Sequence, residues 1–171
     1  MASATTETVI GAVIYAPLIP EYHIQHLIFT DKRLLAMSAS KVTSAVSKGA
    51  AIGAIGMFLA GANPFTVYGI SGMMGMGVWK DIKKKNAGKT FVKIEQEKSE
   101  LGSEIESIAE IKMPYDKVKE ASFKKMWGAE DYLVKIGKGY FSSQSWAVAP
   151  DAVAEVKMLL GRTPLAAVVK D

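Results

Sequence analysis

Hydrophobic and polar positions change rhythm four times along this chain. From Thr8 to Tyr15 (TVIGAVIY) the residues are mostly β-branched or small, and Pro17 and Pro20 follow, which predicts a strand closed by an irregular connection. His23–Phe29 (HIQHLIF) predicts a second strand, Thr30–Arg33 a tight turn, and Leu34–Met37 a third strand. Three strands so spaced form an antiparallel meander. The rhythm then stops. Gly49–Trp79 (GAAIGAIGMFLAGANPFTVYGISGMMGMGVW) runs thirty-one residues without an Asp, Glu, Lys, Arg or His.

Such a run is either a membrane segment or the innermost part of an assembly. One tilted span needs ~20 residues and two need ~40 plus a turn, so thirty-one are too many for one and too few for two unless Val42–Lys48 joins the first. Asn63-Pro64 near its middle suits a turn, because proline breaks a helix. The pattern predicts a helical hairpin with arms at 43–62 and 65–79, roughly 30 and 22 Å long at ~1.5 Å per residue. Gly49, Gly53 and Gly56 recur at helical spacing on one arm, and Gly69 and Gly72 on the other, followed by Met76. Small residues so spaced let helix backbones approach closely in lipid, whereas in water each glycine costs a helix ~1 kcal/mol. Met57, Phe58, Phe65, Met73 and Trp79 complete the set expected to face lipid or neighbouring helices.

After the hairpin the pattern changes again. Phe91, Ile94, Leu101, Ile105 and Ile108, with Lys98 in register, recur at three- and four-residue steps among glutamates, which predicts an amphipathic helix over 86–110 with Gly102 weakening its centre. Past Pro114 the segment 118–126 is strand-like. Glu130–Ile136 and Tyr140–Val148 flank Gly137-Lys138-Gly139 as a hairpin, with Tyr132, Tyr140, Phe141 and Trp146 read as core aromatics. Pro150 opens a helix with Val153, Val156, Leu159 and Leu160 inward, stopped by Gly161; the apolar tail Pro164–Val169 has no assigned element.

Charge adds topology. Lys41 and Lys48 precede the apolar run, and Lys80, Lys83, Lys84, Lys85, Lys89 and Lys93 follow it. The positive-inside bias places both ends on the cytoplasmic side, and the second group could also attract anionic lipid at ~1 kcal/mol per cation. Lys117, Lys119, Lys124 and Lys125 read as solvated surface. The net charge of +4 is modest for a nucleic-acid binder, and the aromatics lack the basic stripe of an RNA platform. No nucleic-acid partner is expected.

Candidate chemistry is thin. The chain has no cysteine, which excludes disulfides, thiolate metal sites and cysteine nucleophiles. Its start, MASATTETVI, has no basic region before an apolar stretch and is not read as a signal peptide. His23 and His26, three apart on a strand, point to opposite faces and cannot easily share a metal. Asn86–Thr90 (NAGKT) has the tail of a phosphate-binding loop, but Lys83 stands where the first glycine belongs. Glu95–Glu110 read as a solvated helix face, and Ser142, Ser143 and Ser145 have no histidine in their sequence context. The expectation is a protein without enzymatic activity or cofactor.

Two stretches carry a family resemblance. HLIFTDKRLLAM (His26–Met37) resembles the strand–turn–strand signature of prokaryotic pleckstrin-homology-like domains, and IKMPYDKVKEASF (Ile111–Phe123) resembles their downstream I-P-Y-D-x-I element. The resemblance implies an α+β fold, a seven-stranded bent antiparallel barrel capped by a C-terminal helix, interrupted here by an insertion over 40–109. The expected organisation is a first barrel part at 1–39, the glycine-rich hairpin at 40–85, the amphipathic helix at 86–110, and the second barrel part with its helix at 111–171. Asp31 and Arg33 are the fold-defining turn residues: Asp31 is expected to satisfy turn N–H groups, and Arg33 to pair with Asp31 or Asp116. The leading expectation is a membrane-associated protein, soluble part cytoplasmic, that binds a lipid headgroup or protein partner and forms a homo-oligomer. A self-assembling shell or pore built on the hairpin is the alternative, and a soluble enzyme with a buried hairpin the third reading.

Overall fold

The computed structural model describes residues 6–16, 25–38, 41, 42, 44, 45, 48, 89–128, 130–138 and 143–170. They form an α+β unit of mostly antiparallel strands in two sheets. The first sheet contains β1 (Thr8–Ala16), β2 (Gln25–Thr30), β3 (Arg33–Ser38), β4 (Lys89–Glu100) and β5 (Ile111–Pro114), in the order β4-β1-β2-β3-β5. The second contains β6 (Glu120–Lys125), β7 (Tyr132–Gly137), β8 (Ser143–Val148) and β9 (Val169–Lys170), in the order β8-β7-β6-β9. Two short helices, α1 (Ser103–Ile108) and α2 (Val153–Gly161), belong to the same unit.

The β1–β2–β3 meander forms as the residue pattern predicts, in a register that pairs Val13 with Leu27 and Leu27 with Ala36. These strands are apolar on both faces because both faces are covered. Val13, Leu27, Phe29, Leu34 and Ala36 point toward the second sheet, where they meet Phe123, Val134, Ile136 and Trp146 together with Leu159 and Leu160 of α2. Val9, Ala12, Ile14, Ile28, Leu35 and Met37 point the other way, onto Ile105 of α1 and Val42. At Gly11 the absent side chain is a packing requirement. A Cβ there would stand 2.4 Å from the Lys93 carbonyl oxygen and 2.6 Å from Leu159 Cδ1, so α2 seats against bare backbone.

Two expectations are corrected. Of the segment 86–110, read as one amphipathic helix, the described residues from Lys89 on are instead β4 followed by the six-residue α1, with Gly102 as the helix N-cap; 86–88 lie outside the described residues. Thr90, Phe91, Val92 and Ile94 pair with Tyr15, Ile14, Val13 and Gly11. Strand pairing along an otherwise open β1 edge thus overrides the three- and four-residue spacing. Between Gly11 and Val9 the partner advances from Ile94 to Ser99, so the extra residues of β4 are taken up in a bulge. The closed barrel is replaced by two separate sheets. Pro114, at the end of β5, has no N–H to extend the ladder, and a 3₁₀ turn at Tyr115–Lys117 carries the chain over to the second sheet.

The C-terminal region is also defined. A 3₁₀ turn at Pro150–Ala152 leads into α2, which buries Val156, Leu159 and Leu160 as expected, leaves Val153 half-buried and includes Gly161 as its last residue. The unassigned tail is a 3₁₀ turn at Pro164–Val168, capped by the Thr163 hydroxyl accepting from the Leu165 N–H, and then β9, which pairs in parallel with β6.

Candidate functional site

The end of the first sheet from which the apolar stretch departs is the candidate site. Tyr15 lies opposite Gln25, Gln25 opposite Ser38, and Ala16 opposite Lys89. The chain therefore leaves β3 and re-enters β4 at one end of the sheet, and the 17–24 connection starts and finishes there as well. Ser38 and Lys89 are three strand spacings apart, ~14 Å at ~4.8 Å each.

This exit is tied down by Glu110, between α1 and β5. Its Oε2 accepts from the Ser38 N–H at 2.9 Å, and its Oε1 pairs with Lys41 Nζ at 3.2 Å. The Glu110 N–H donates to the Ala36 carbonyl. The lysine and the Ser38 N–H outweigh desolvation and hold this carboxyl below the usual range. Residues 41, 42, 44 and 45 are helical, with Val42 fully buried in the outer core and Lys41 and Lys48 exposed. A shallow cleft of about 280 Å³ lies between this first helical turn and α1, lined by Lys41, Ser44, Lys48, Glu104, Ser107 and Ile108.

Of the sequence-predicted site residues, Gly49, Gly53, Gly56, Met57, Phe58, Phe65, Gly69, Gly72, Met73, Met76 and Trp79 lie outside the described residues, as do Lys80, Lys83, Lys84 and Lys85. Lys89 opens β4 at the site. Asp31 and Arg33 lie at the opposite end of the sheet, in the β2–β3 turn.

That turn is built differently from expectation. Thr30 supplies the turn acceptor: its hydroxyl oxygen accepts from the N–H groups of Lys32 (3.1 Å) and Arg33 (2.9 Å). Asp31 reaches outward instead, its Oδ1 accepting from the Thr8 N–H at 3.0 Å while its own N–H donates to the Thr8 carbonyl. It clamps the start of β1 to the turn. Asp31→Ala is expected to cost about 1 kcal/mol, the scale of one exchanged hydrogen bond. A melt of the otherwise intact protein checks this, and an unchanged midpoint would count against the clamp.

Arg33 pairs with neither Asp31 nor Asp116. Its Nε donates to Glu7 Oε1 at 2.9 Å, and its Nη2 reaches Glu7 Oε2 and Glu106 Oε1, both at 2.6 Å. Thr30 adds a hydroxyl bond to Glu7 Oε1 at 2.7 Å. Burial alone would raise the Glu7 carboxyl, but the Arg33 and Thr30 bonds outweigh it and hold Glu7 below its usual value. The Glu7 bonds likewise raise the Arg33 guanidinium further above its ordinary range. Every charged group here is answered by another, so the cluster suits holding β1, the turn and α1 together rather than transferring a proton. Glu7 and Glu106 had no local signal, since they are 26 and 73 residues from Arg33.

His26 is fully buried on the outer face of the first sheet, opposite Ile14 and Met37, and neither ring nitrogen has a hydrogen-bond partner. Desolvation pulls it down to about 4. Among the described residues no three His, Asp or Glu side chains could hold a metal ion, and no helix is long and apolar enough to cross a membrane.

The chain matches no family model, no curated protein and no solved structure.

Proposed function

We propose that this chain is a non-enzymatic, membrane-anchored protein in which a pleckstrin-homology-like unit is held at the cytoplasmic face by the glycine-rich stretch 49–79. The observation that carries the reading is the continuity of a charge-free, thirty-one-residue sequence with one end of a folded two-sheet unit, lysines standing on both sides of it. A stretch so poor in charge and so rich in glycine gains more from lipid than from water. The anchored unit then binds a lipid headgroup or a protein partner, and the small-residue stripe Gly49, Gly53 and Gly56 brings copies of the chain together as a homo-oligomer.

Deleting 45–79 and closing the gap with a short flexible linker tests it. The shortened chain is expected to keep its fold and leave the membrane fraction, whereas the intact chain sediments with membranes. Equal sedimentation of the two would overturn the anchor. A large, lipid-independent particle formed only by the intact chain would favour the alternative, a self-assembling shell or pore.

A further inference from the structure

Trp127 is the most exposed large apolar side chain among the described residues, at 103% relative exposure. It sits at the tip of the β6–β7 hairpin, where the Met126 N–H donates to the Asp131 carbonyl to close the turn. Gly128 there has φ 76°, and a Cβ on it would meet nothing within 4 Å, so the tip stands in open space. A single exposed apolar side chain is ordinary on a protein surface, so the position of this one decides what it can do; its ring is apolar with one polar N–H, which suits a boundary between lipid and water.

The topology tells which way the tip points. Lys125, at the end of β6, is opposite Tyr132, and Tyr132 is opposite Val148. The next residue, Ala149, donates its N–H to the Thr90 hydroxyl at 2.8 Å, and Thr90 is opposite Tyr15 at the exit end of the first sheet. At the other end of β6, the short 3₁₀ turn after Pro114 leads back to β5 and the Arg33 turn. The Trp127 hairpin and the root of the apolar stretch therefore occupy the same end of the molecule.

We infer that Trp127, with Met126 beside it, enters the headgroup layer of the same bilayer that the 49–79 stretch enters, as a second contact fixing the tilt of the folded unit. This rests on the anchor reading proposed above. Two lysines, Lys124 and Lys125, and two carboxylates, Glu130 and Asp131, flank the tip in the sequence and leave it without formal net charge, so the contact depends on the preference of an indole for the membrane–water boundary rather than on lipid charge. A zwitterionic bilayer suffices.

The test uses the full chain reconstituted in phosphatidylcholine vesicles carrying lipids brominated either near the headgroup or at mid-chain. The chain has three tryptophans: Trp79 in the apolar stretch, Trp127, and Trp146, which is buried in the core. The difference in emission between intact protein and Trp127→Ala isolates Trp127, and that between intact protein and Trp79→Phe isolates Trp79. Because Trp127 is exposed, its removal should leave the melting midpoint unchanged. The Trp127 emission is expected to lose most of its intensity to shallow bromines and little to deep ones. Quenching of Trp79 without quenching of Trp127 overturns the contact and leaves the anchor standing. Quenching of neither overturns both, and quenching of Trp127 alone removes the anchor and with it the reading of Trp127 as a second contact. Blue-shifted Trp127 emission that bromines leave untouched assigns the tip to a protein surface and overturns the inference.

Discussion

Arg33→Met is expected to destabilise the folded unit by about 2–3 kcal/mol, below the ~3–5 kcal/mol that removal of one partner from a fully buried ion pair costs, because this pair is only partly buried. The side chains of Arg33 and Glu7 are only 20% and 13% exposed, so Glu7 would keep its charge in a place where water replaces the lost donors only in part. Glu106, at 42% exposure, would be resolvated and adds little. Arg33→Lys should recover less than half of the loss, because an ammonium cannot present two parallel N–H groups to one carboxylate while reaching a second. Chemical denaturation of the single variants and of Glu7→Gln with Arg33→Met checks the assignment. Their effects should be strongly non-additive, and losses that simply add would refute the pairing.

Acidification should produce an effect of similar size through His26. Its folded value of about 4 lies below the ordinary 6.5, so between these values the unfolded chain binds the proton more strongly. Its contribution is complete above pH 6.5 and is lost as pH falls from 6.5 toward 4, by about 3 kcal/mol in full at ~1.4 kcal/mol per unit. Glu7 and Glu110 act lower down: their folded values lie below 4.5, so their stabilisation is complete above that and lost beneath it. Among the described residues, the interval from 6.5 to 4.5 therefore reports mainly on His26. His26→Leu should flatten the stability profile there, and should not reduce stability at pH 7, because two unpartnered ring nitrogens leave the core. A profile whose slope between 6.5 and 4.5 survives the substitution would place the titrating group elsewhere.

How far the fold was legible depends on how local its causes are. The meander was legible because β-branched runs and a tight turn act within a few residues. So was the helix after Pro150, whose buried Val156, Leu159 and Leu160 follow from spacing alone. The β7–β8 hairpin followed from Gly137-Lys138-Gly139 between two apolar runs. β4 was not legible. Its residues satisfy a helical spacing nearly as well as an alternating one, and the deciding partner, β1, lies some eighty residues earlier. In the candidate site Lys41, Lys48 and Lys89 were legible as borders of the apolar run, whereas the exit geometry at Ser38, Lys41 and Glu110 was not.

By itself, then, the sequence determined the charge-free stretch and its lysine borders, the local strands and the closing helix, because each follows from side chains within one turn or one strand of each other. Tertiary structure alone decided that 89–100 is a strand, that Asp31 holds β1 while Thr30 holds the turn, and that Arg33 answers Glu7 and Glu106. It also placed the Trp127 tip at the end where the apolar stretch departs. The physical reason is common to all four. Backbone donors and charges are settled by whatever surface the fold brings to them, and the direction a hairpin tip takes is set by the strands that hold it; both come from distant parts of the chain.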